Sequence, residues 1–420
     1  MNTPAGVNGK ADGKAAVTAD VAIVGGGLMG CAAALALRRR GRSVVLLEQG
    51  WCGAQASGVN YGGVRRQGRG AAQLPLAGRA HALWATLAET LECDIEYVRT
   101  GHLKLAADAA GLAELEAYHA LAASHGMPLE LLSRAALQRR YPWLGAACAG
   151  ASLSPEDGQA NPRLLAAAYA RRARRAGVDV YEHCAVLAIH REAGGFVLDT
   201  DGGRVRAAQL ANCAGAWGAT LAATFGEPVP ATVIHPNMLV TEPLPPLMTI
   251  NVGIVGGSFY ARQVARGNVV VGGGRGTGAL SLDASRPVGD STRRALQAAC
   301  RHVPALAQAL VIRSWTGVEG ALPDHQPVLG PSATTPGLVH AFGFSGGGFQ
   351  LAPAVGEVLA ELLCDGRSTT PLDAFRADRF AASPGSAPDS LFDSLSGSTL
   401  DSTPGSTPDP LSLSPARSLR

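Results

Sequence analysis

The chain lacks the features that would mark a disulfide-stabilised, zinc-binding or nucleic-acid-binding protein. Its eight cysteines are scattered and include no C-x-x-C pair, which argues against a disulfide framework or a zinc site and indicates a reducing, cytoplasmic environment. The formal net charge of +3 is too small to predict binding to nucleic acid or to an anionic membrane. The ten histidines show no metal-ligand spacing, so no metal site is predicted.

Long uninterrupted apolar runs are also missing. The stretch 21–37 spans seventeen residues but contains four glycines, so no transmembrane segment is predicted. Residues 1–18 have no apolar core that ends in a cleavage site, which argues against a secretory signal. Residues from 381 onward are rich in Ser, Pro, Thr and Asp. Both ends, 1–18 and 381–420, are therefore expected to be disordered.

What the sequence does contain is a dinucleotide-binding pattern near its start. An apolar strand leads directly into Gly25, Gly27 and Gly30 at G-x-G-x-x-G spacing, and an alanine-rich helix follows. These glycines permit a tight turn, a close approach of the backbone to a diphosphate, and close packing of the helix on the sheet. Glu48 ends the next strand, where a carboxylate can accept hydrogen bonds from ribose hydroxyls. The pattern predicts a dinucleotide site without separating NAD from FAD.

Two further segments have the small residues and glycine turns of a nucleotide site. Residues 210–217 (LANCAGAW) lead from a predicted strand into a turn, and residues 343–349 (GFSGGGF) precede a predicted helix. A glycine-rich turn at a helix start offers N–H groups and the positive end of the helix dipole. Beside a flavin, that end would stabilise negative charge on the reduced ring, so the second of these segments favours FAD over NAD.

With these segments in view, the chain resembles the D-amino-acid oxidase superfamily of FAD-dependent amine dehydrogenases and oxidases. Within it, the chain is most similar to the bacterial group of glycine oxidase, sarcosine oxidase β-subunit, opine oxidase and hydroxyproline dehydrogenase. The resemblance covers roughly residues 19 to 380. The motifs that carry it are VAIVGGGLMGCAAALALRRRGRSVVLLE, ASGVNYGGVR, YARQVARGNVVVGGG, RSWTGVEGALPDHQPVLG and HAFGFSGGGFQLAPAVGEVLAELL.

The resemblance implies which positions bind FAD. The diphosphate loop comprises Gly25, Gly27, Leu28, Met29 and Gly30, and the adenosine ribose site comprises Glu48 and Gln49. Ser57 and Gly58 lie in the loop along the polar side of the flavin, and Val186 provides the backbone contact to adenine. The second cofactor crossover comprises Ala214, Gly215 and Trp217, and the loop over the pyrimidine edge of the flavin comprises Gly346, Gly347, Gly348, Phe349 and Gln350.

The sequence departs from the family at two kinds of position. Some members tether the flavin through a cysteine near the C-terminal loop or a histidine after the first loop, and this chain has neither. Non-covalent FAD is therefore expected. Glycine-oxidase-like members also carry an arginine just before the P-D segment to bind the substrate carboxylate, whereas 318–321 read Val-Glu-Gly-Ala here. Either another cation binds a carboxylate, or the substrate differs.

Three side chains are candidates for the substrate site. Tyr260 and Arg262 are two positions apart on a predicted strand and so share one face, which could present a phenol and a guanidinium to the flavin. Arg65 follows the glycines on the flavin side and is a second candidate cation. An arginine is the preferred partner of a substrate carboxylate because its planar fork matches the two oxygens.

These observations predict an α/β (α+β) fold with a discontinuous, Rossmann-like FAD-binding domain. That domain is expected over 19–92, 150–230 and 312–380, and a mainly antiparallel-sheet substrate domain is inserted over 93–149 and 231–311. The local predictions include two hairpins and three helices. The hairpins are at 196–207 and 259–272, and the helices are at 74–91, from Pro162 and from Pro353.

The expected function is FAD-dependent oxidation of the C–N bond of a small amino or imino acid, or of an opine-like N-substituted amino acid. Hydride would pass from the amine carbon to flavin N5, and water would hydrolyse the resulting imine. The electron acceptor would be oxygen, a quinone or a partner subunit. Two alternatives stay open: a flavin-bearing subunit of a multi-subunit amine, opine or hydroxyproline dehydrogenase, and an NAD(P)-dependent dehydrogenase that shares only the first motif.

Overall fold

The computed structural model describes residues 17–381 of the chain. The two ends predicted to be disordered lie outside these residues, apart from Val17 and Thr18, which begin the first strand, and Ala381. The helices are α1 Leu28–Arg39, α2 Ala56–Val59, α3 Leu74–Trp84, α4 Leu87–Leu91, α5 Ala109–Ser124, α6 Arg134–Arg140, α7 Pro162–Arg175, α8 Gly218–Thr224, α9 Gly289–His302 and α10 Gly348–Asp365.

The strands form two large sheets and two short pairs. They are β1 Val17–Val24, β2 Val44–Leu47, β3 Gly63–Val64, β4 His102–Ala106, β5 Glu130–Ser133, β6 Gly150–Ser154, β7 Gly158–Gln159, β8 Asp179–Tyr181, β9 Val186–Glu192, β10 Gly195–Thr200, β11 Gly203–Asn212, β12 Thr232–Ile234, β13 Pro236–Pro243, β14 Asn251–Ile254, β15 Tyr260–Gln263, β16 Asn268–Arg275, β17 Val311–Thr316, β18 Glu319–Ala321, β19 Val328–Pro331 and β20 Leu338–Phe342.

The first sheet carries the dinucleotide motif. Its path is β19-β20-β11-β1-β2-β8, with β10 and β9 added beside β11. The strands β20, β11, β1, β2 and β8 are parallel, as the continuous apolar runs 21–24 and 44–47 require when both faces are covered. Helices α1, α7 and α10 pack in the core beside it. A Cβ added to Gly356 in α10 would lie 2.7 Å from Ala32 Cβ in α1, so the two helices cross at close range.

The second sheet is mainly antiparallel, with the order β17-β13-β16-β15-β14-β4-β6-β5. Only β14 and β4 pair in parallel. Its apolar face forms a separate core that includes residues of α6 and α9. The predicted mixture of a Rossmann-like domain and an antiparallel-sheet domain is confirmed. The strands β6 and β17 belong to this second sheet, although 150–230 and 312–380 were expected to lie in the FAD-binding domain.

Most local predictions agree with the structure, and two helices differ. Both hairpins form, as β10–β11 and β15–β16, and Asn161 caps α7 by accepting a hydrogen bond from the Arg163 N–H at 3.1 Å. The predicted helix 74–91 is two helices, because the chain turns after Trp84 and brings Leu87 and Leu91 into the same core. The last helix begins at Gly348 rather than at Pro353, which lies inside α10. No helix among residues 17–381 combines the length and hydropathy needed to span a bilayer.

Candidate active site

A cavity of about 710 Å³ lies where the carboxyl ends of β1, β11 and β20 face the second sheet. Ligands in open α/β sheets bind at this edge, where the strands end and the connecting loops diverge. The cavity has charged and aromatic side chains from both sides of the molecule. They are Tyr61, Arg65, Arg69, His102, Lys104, Phe259, Tyr260, Arg275, Arg294, Glu319, Phe344 and Phe349.

The N-terminus of α1 opens on this cavity through Gly27, Leu28 and Met29. The turn before it needs glycine at two positions. Gly25 has φ +106°, and a Cβ there would lie 2.3 Å from the Cys213 carbonyl oxygen. A Cβ on Gly30 would lie 2.0 Å from the Gly25 carbonyl oxygen. These two glycines therefore shape the turn, while Gly27, Leu28 and Met29 line the cavity.

Glu48 lies outside the cavity lining and is held by the same turn. Its carboxylate accepts hydrogen bonds from the Gly26 N–H and the Gly50 N–H, both at 2.7 Å. A carboxylate has further lone pairs, so Glu48 can still accept a ribose hydroxyl. The neighbouring Gln49 and the strand residue Val186 also lie outside the lining of the large cavity. Their cofactor contacts stay predictions.

The loop after β2 is positioned against α1. Ser57 Oγ accepts a hydrogen bond from the Leu28 N–H at 2.9 Å, and Ser57 lines the cavity. Gly58 does not line it, and a Cβ there would lie 2.3 Å from the Gly53 carbonyl oxygen. In the second crossover Gly215 lines the cavity with φ +56°, whereas Ala214 and Trp217 do not.

The glycine-rich loop 343–349 reaches the same cavity from β20, and Gly346 to Gln350 all line it. A Cβ on Gly348 would lie 3.0 Å from Met29 Cε, so the first and third predicted cofactor segments are in contact range. Neither α1 nor α10 has a side-chain cap at its N-terminus. Apart from the Leu28 N–H, which donates to Ser57 Oγ, the first N–H groups of both helices therefore remain available to anionic or carbonyl oxygens of a bound cofactor. This donor set fits a single extended dinucleotide.

Arg69, which was not among the residues predicted from the sequence, binds the loop before α10 through a hydrogen bond to its backbone. Its guanidinium donates to the Gly347 carbonyl at 2.8 Å, the Gln73 side-chain oxygen at 3.0 Å and the Arg65 carbonyl at 3.1 Å. Burial, with a contribution from the nearby Arg65, lowers the pKa of Arg69 to about 9. The signal available in the sequence was the position of Arg69 in the same loop as Arg65.

The opposite wall of the cavity is built on a row of paired residues across four strands. Lys104 on β4 pairs with Gly253, which pairs with Tyr260, which pairs with Gly272 on β16. The Tyr260 ring lies over Gly272, where a Cβ would be only 2.0 Å from Tyr260 Cε2. The ring also packs edge-on against Tyr61, with centroids 4.7 Å apart. The absence of a side chain at Gly272 thus leaves room for the Tyr260 ring, and a Cβ on Gly253 would lie 3.3 Å from His102 Nε2.

Tyr61 is a second phenol of the site that the sequence did not single out. Its hydroxyl is buried and has no hydrogen-bond partner among the described residues. A buried donor without a partner is costly unless a ligand supplies one. Burial raises the pKa of Tyr61 above its usual range, so the group donates as a neutral phenol. Its place in the family motif ASGVNYGGVR was the signal that could have identified it.

Arg262 does not reach the cavity. Its guanidinium donates to the Tyr61 carbonyl at 2.6 Å and to the Gln159 side-chain oxygen at 3.0 Å, and it lies over the Tyr61 ring. Because side chains alternate along a strand, Arg262 lies on the same face of β15 as Tyr260. At Arg262, however, that face of β15 is covered by β7 and by the loop before β3. Arg262 therefore supports Tyr61 and is not a cation of the cavity.

Arg65 does line the cavity, together with two basic residues of β4. Its Nη1 donates to the Gln67 carbonyl. Burial, assisted by Arg65, lowers the pKa of Lys104 to about 7 and the pKa of His102 well below its usual range. Gln67 donates to the Ser152 carbonyl and presents its oxygen to His102 Nδ1 at 2.9 Å. That arrangement leaves His102 Nε2 as a neutral acceptor.

Glu319 is the one carboxylate among the described residues that line the cavity. It lies in the stretch 318–321, just before the P-D segment, where the resemblance leads us to expect an arginine. Burial raises its pKa, while a hydrogen bond from the Gly346 N–H and the charge of Arg275 act in the opposite direction. Within residues 17–381 no group of three or more His, Cys, Asp or Glu side chains is arranged to hold a metal ion.

The fold and this cavity define a dinucleotide-dependent oxidoreductase with a Rossmann-like sheet and a second, mainly antiparallel sheet. The chain belongs to the DAO family of FAD dependent oxidoreductases, whose model matches residues 20–362. The predictions of family, fold, cofactor and enzyme class are confirmed at this level. FAD supplies the redox chemistry, and its non-covalent attachment stays a prediction.

Known relatives cover most of the chain. Glycine oxidase from Geobacillus kaustophilus is 32% identical over 352 residues, which is 82% of this chain and 92% of that protein. Its crystal structure superposes with a TM-score of 0.82 and covers 86% of this chain and 99% of the other. Sarcosine oxidase subunit beta from Rhizobium meliloti is 30% identical over 370 residues, 86% of this chain and 88% of that protein. L-proline dehydrogenase from P. horikoshii superposes with a TM-score of 0.80 at 25% identity, covering 87% of this chain and 99% of the other.

Proposed function

We propose that this protein oxidises the C–N bond of a small amino or imino acid, or of an N-substituted amino acid. The observation that carries the proposal is the convergence of the N-termini of α1 and α10 on one cavity that is also lined by Tyr260, Lys104 and Arg65. The named substrates of the relatives, glycine, sarcosine and proline, are all amino acids with a primary or secondary amine. They support this class of substrate without choosing among its members.

The chain's own residues would bind and orient the amine. Bound FAD supplies a hydride acceptor to which two electrons pass from the substrate carbon. Arg65 and Lys104 would hold a substrate carboxylate, and the Tyr61 hydroxyl would donate a hydrogen bond to the same group. The Tyr260 ring would fix the distance between the substrate carbon and the flavin, since orientation rather than acid–base chemistry is the main demand of this reaction. Water then hydrolyses the imine product.

The test is anaerobic reduction of the FAD-loaded enzyme. A panel of glycine, N-methylglycine, D- and L-proline and longer amino acids is mixed with the protein without oxygen, and flavin absorbance is followed. Bleaching by at least one amine at a rate that saturates with its concentration is expected. A protein that binds FAD yet is bleached by dithionite only, and by no amine, would contradict the proposed function.

A second candidate is that the chain acts as the flavin-bearing subunit of a larger enzyme. The relative from Rhizobium meliloti is itself named as a subunit, which favours this alternative. Oxygen, a quinone or a partner subunit would then take the electrons from the reduced flavin. Turnover of the isolated chain with oxygen, compared with turnover with an artificial quinone, separates these acceptors. Full turnover with oxygen by the isolated chain would remove the need for a partner.

A further inference from the structure

We infer that the loop between β16 and α9, residues 276–288, binds the adenosine half of FAD, and that Leu282 makes the contact. The loop follows a strand of the second sheet, whereas the dinucleotide motif belongs to the first sheet. The inference goes beyond the proposed function, because it depends on FAD as the cofactor and on the ribose contact predicted for Glu48, and not on the substrate that is oxidised.

The 276–288 loop has a fixed base. Thr277 and Arg286 form an isolated bridge, in which the Thr277 N–H donates to the Arg286 carbonyl at 2.9 Å and the Arg286 N–H donates to the Thr277 carbonyl at 2.8 Å. The Gly276 N–H also donates to the His235 carbonyl at 2.7 Å. Residues 278–285 therefore project from a hydrogen-bonded base.

The tip of the loop reaches the dinucleotide-binding part of the chain. Ser281 Oγ donates to Asp283 Oδ1 at 2.8 Å, which folds the tip around Leu282. The Leu282 carbonyl accepts a hydrogen bond from Gln55 Nε2 at 3.0 Å. Gln55 directly precedes α2, which carries Ser57, the side chain that accepts an N–H at the start of α1. The tip is therefore bonded to the segment that supports the dinucleotide turn.

The Leu282 side chain lies beside the carboxylate that is expected to bind the adenosine ribose. A Cβ on Gly50 would lie 3.4 Å from Leu282 Cδ1, 3.8 Å from Leu282 Cδ2 and 3.6 Å from Glu48 Oε1. The two leucine methyl groups and the carboxylate oxygen thus surround one position next to Gly50. A ribose that is hydrogen-bonded to Glu48 would therefore lie beside these methyl groups.

Leu282 has apolar surface to offer, because the core does not bury it. The residue is 39% exposed. The carbon faces of a nucleoside are apolar surface that such a side chain can cover, and burial of apolar surface is favourable. Since hydrogen bonds fix the loop at its base and at its tip, covering Leu282 costs little additional ordering. Glu48 and Leu282 together match a sugar that has hydroxyl groups on its edge and carbon on its faces.

The 276–288 loop is separate from the place where the chemistry is proposed. None of its residues lines the large cavity, whose lining resumes on α9 at Ser291. A substitution at Leu282 is therefore expected to act on the cofactor's affinity and to leave the substrate side of the cavity unchanged.

Hydrogen exchange on the full-length protein tests whether FAD covers the loop. Peptides that span residues 277–286 are compared between the apoprotein and the FAD-loaded protein. FAD is expected to slow exchange in these peptides by about 3-fold or more, because the loop opens less often when a ligand holds its tip. Exchange at an unchanged rate in these peptides would overturn the inference.

Substitutions of Leu282 test the contact through the dissociation constant of FAD, measured by quenching of flavin fluorescence. Leu282→Ala is expected to weaken FAD binding by about 3- to 10-fold because it removes the methyl groups. Leu282→Asp should weaken it by about 10-fold or more, because a carboxylate there would stand beside that of Glu48. Leu282→Met keeps an apolar side chain and should bind FAD nearly as tightly as the wild type.

Leu131→Asp is the matched control for the added charge. Leu131 is similarly exposed, at 42%, and lies on β5 at the far edge of the second sheet. It is expected to bind FAD as the wild type does, and chemical denaturation of the apoproteins checks that both aspartate variants are equally well folded. A Leu282→Asp variant that binds FAD as tightly as Leu131→Asp does would overturn the contact.

Competition with ADP identifies the half of the cofactor that Leu282 contacts. ADP carries the adenosine and a diphosphate but no flavin, so its constant for displacing FAD should increase in Leu282→Asp by the same factor as the FAD constant. An FAD constant that changes without the ADP constant, or no displacement from the wild type by millimolar ADP, would remove the adenosine assignment. None of these measurements uses an amine, so their outcome and that of the anaerobic reduction are independent.

Discussion

The Glu319 carboxylate accepts a hydrogen bond from the backbone N–H of Gly346, in the glycine-rich loop that precedes α10. Glu319 begins β18, which pairs with β12 at the junction between the two sheets. The contact therefore connects the loop that is expected over the flavin to the junction between the two sheets. It also gives Glu319 a positioning role that an arginine, which has no acceptor, could not fulfil.

Replacing Glu319 with alanine is expected to weaken FAD binding. The Gly346 N–H would lose its acceptor, which corresponds to about 1–1.5 kcal/mol, or roughly 5- to 10-fold in the dissociation constant. Glu319→Gln keeps a side-chain oxygen at the same place and is expected to bind FAD nearly as tightly as the wild type. Quenching of flavin fluorescence on titration of the apoprotein measures both constants.

Glu116→Ala on the exposed side of α5 serves as the control for removing a carboxylate far from the loop. Equal weakening by Glu319→Gln and Glu319→Ala would show that the charge of Glu319, and not its acceptor oxygen, supports the cofactor.

The dinucleotide motif could be predicted from the sequence because it depends on interactions between residues that are close in sequence. An apolar strand, three spaced glycines and an alanine-rich helix specify the turn at Gly25 and the helix α1 without any distant contact. Likewise the hairpins and the Asn161 cap depend on neighbouring residues only. Local signals do not decide where a helix begins, so the sequence predicts a helix start at Pro353, whereas α10 begins at Gly348 and contains Pro353.

Gly30→Ala tests the turn of the motif directly. A Cβ there would lie 2.0 Å from the Gly25 carbonyl oxygen and would push α1 away from β1. We expect a loss of about 1–3 kcal/mol in the free energy of unfolding and a weakened FAD complex. Chemical denaturation of the apoprotein measures the first effect, and flavin titration of the protein that folds measures the second.

Gly78→Ala is the matched control, since Gly78 lies within α3 and has nothing within 4 Å of an added Cβ. It is expected to stabilise the protein by about 0.5–1 kcal/mol through helix propensity. A Gly30→Ala variant as stable and as tightly flavinated as Gly78→Ala would mean that the turn has room the structure does not show.

The substrate side of the cavity was less accessible from the sequence. Strand alternation places Tyr260 and Arg262 on one face, but only the three-dimensional register shows that Gln159 and the Tyr61 carbonyl engage Arg262 before it can reach the cavity. Lys104 is distant in sequence from the motifs and joins the site because β4 pairs in parallel with β14. Such long-range pairings depend on topology, which no single segment encodes.

The buried Lys104 predicts a pH dependence of stability. Burial is the main cause that lowers its pKa to about 7 in the folded state, against a usual value near 10.5 in the unfolded chain. Between these values the unfolded state binds the additional proton, so the contribution of Lys104 to stability increases from pH 7 to pH 10. The difference in unfolding free energy between wild type and Lys104→Met should therefore shift in favour of the wild type over this range, on the order of 1–3 kcal/mol.

Comparing each variant with the wild type at both pH values cancels titrations that the two proteins share. Lys104→Arg is a useful companion, because arginine stays charged and should show no such step. A difference between wild type and Lys104→Met that is the same at pH 7 and pH 10 would contradict a lowered pKa for this lysine.

Glycine is predicted to be required at position 272 of β16, because the Tyr260 ring occupies the space that a side chain there would need. A Cβ at Gly272 would lie 2.0 Å from Tyr260 Cε2 and 2.5 Å from the hydroxyl, which itself contacts Met238 Sδ at 3.6 Å. Gly272→Ala should displace the ring, destabilise the protein by about 1–3 kcal/mol and lower kcat/KM for an amine substrate by roughly 10-fold or more. Gly289→Ala, at an exposed position with nothing near an added Cβ, controls for the substitution itself.

A double-mutant cycle isolates the cause of the Gly272 effect. In a Tyr260→Ala background the added methyl group meets no ring, so the same Gly272→Ala substitution should cost little in unfolding free energy. The coupling between the two positions, measured by denaturation, is then expected to be about 1–3 kcal/mol. Because this readout does not require activity, it remains informative even if both variants are catalytically dead. An equal cost of Gly272→Ala with and without the ring would instead place the constraint in the backbone of β16, and Tyr260 would lose its assigned role in shaping the cavity.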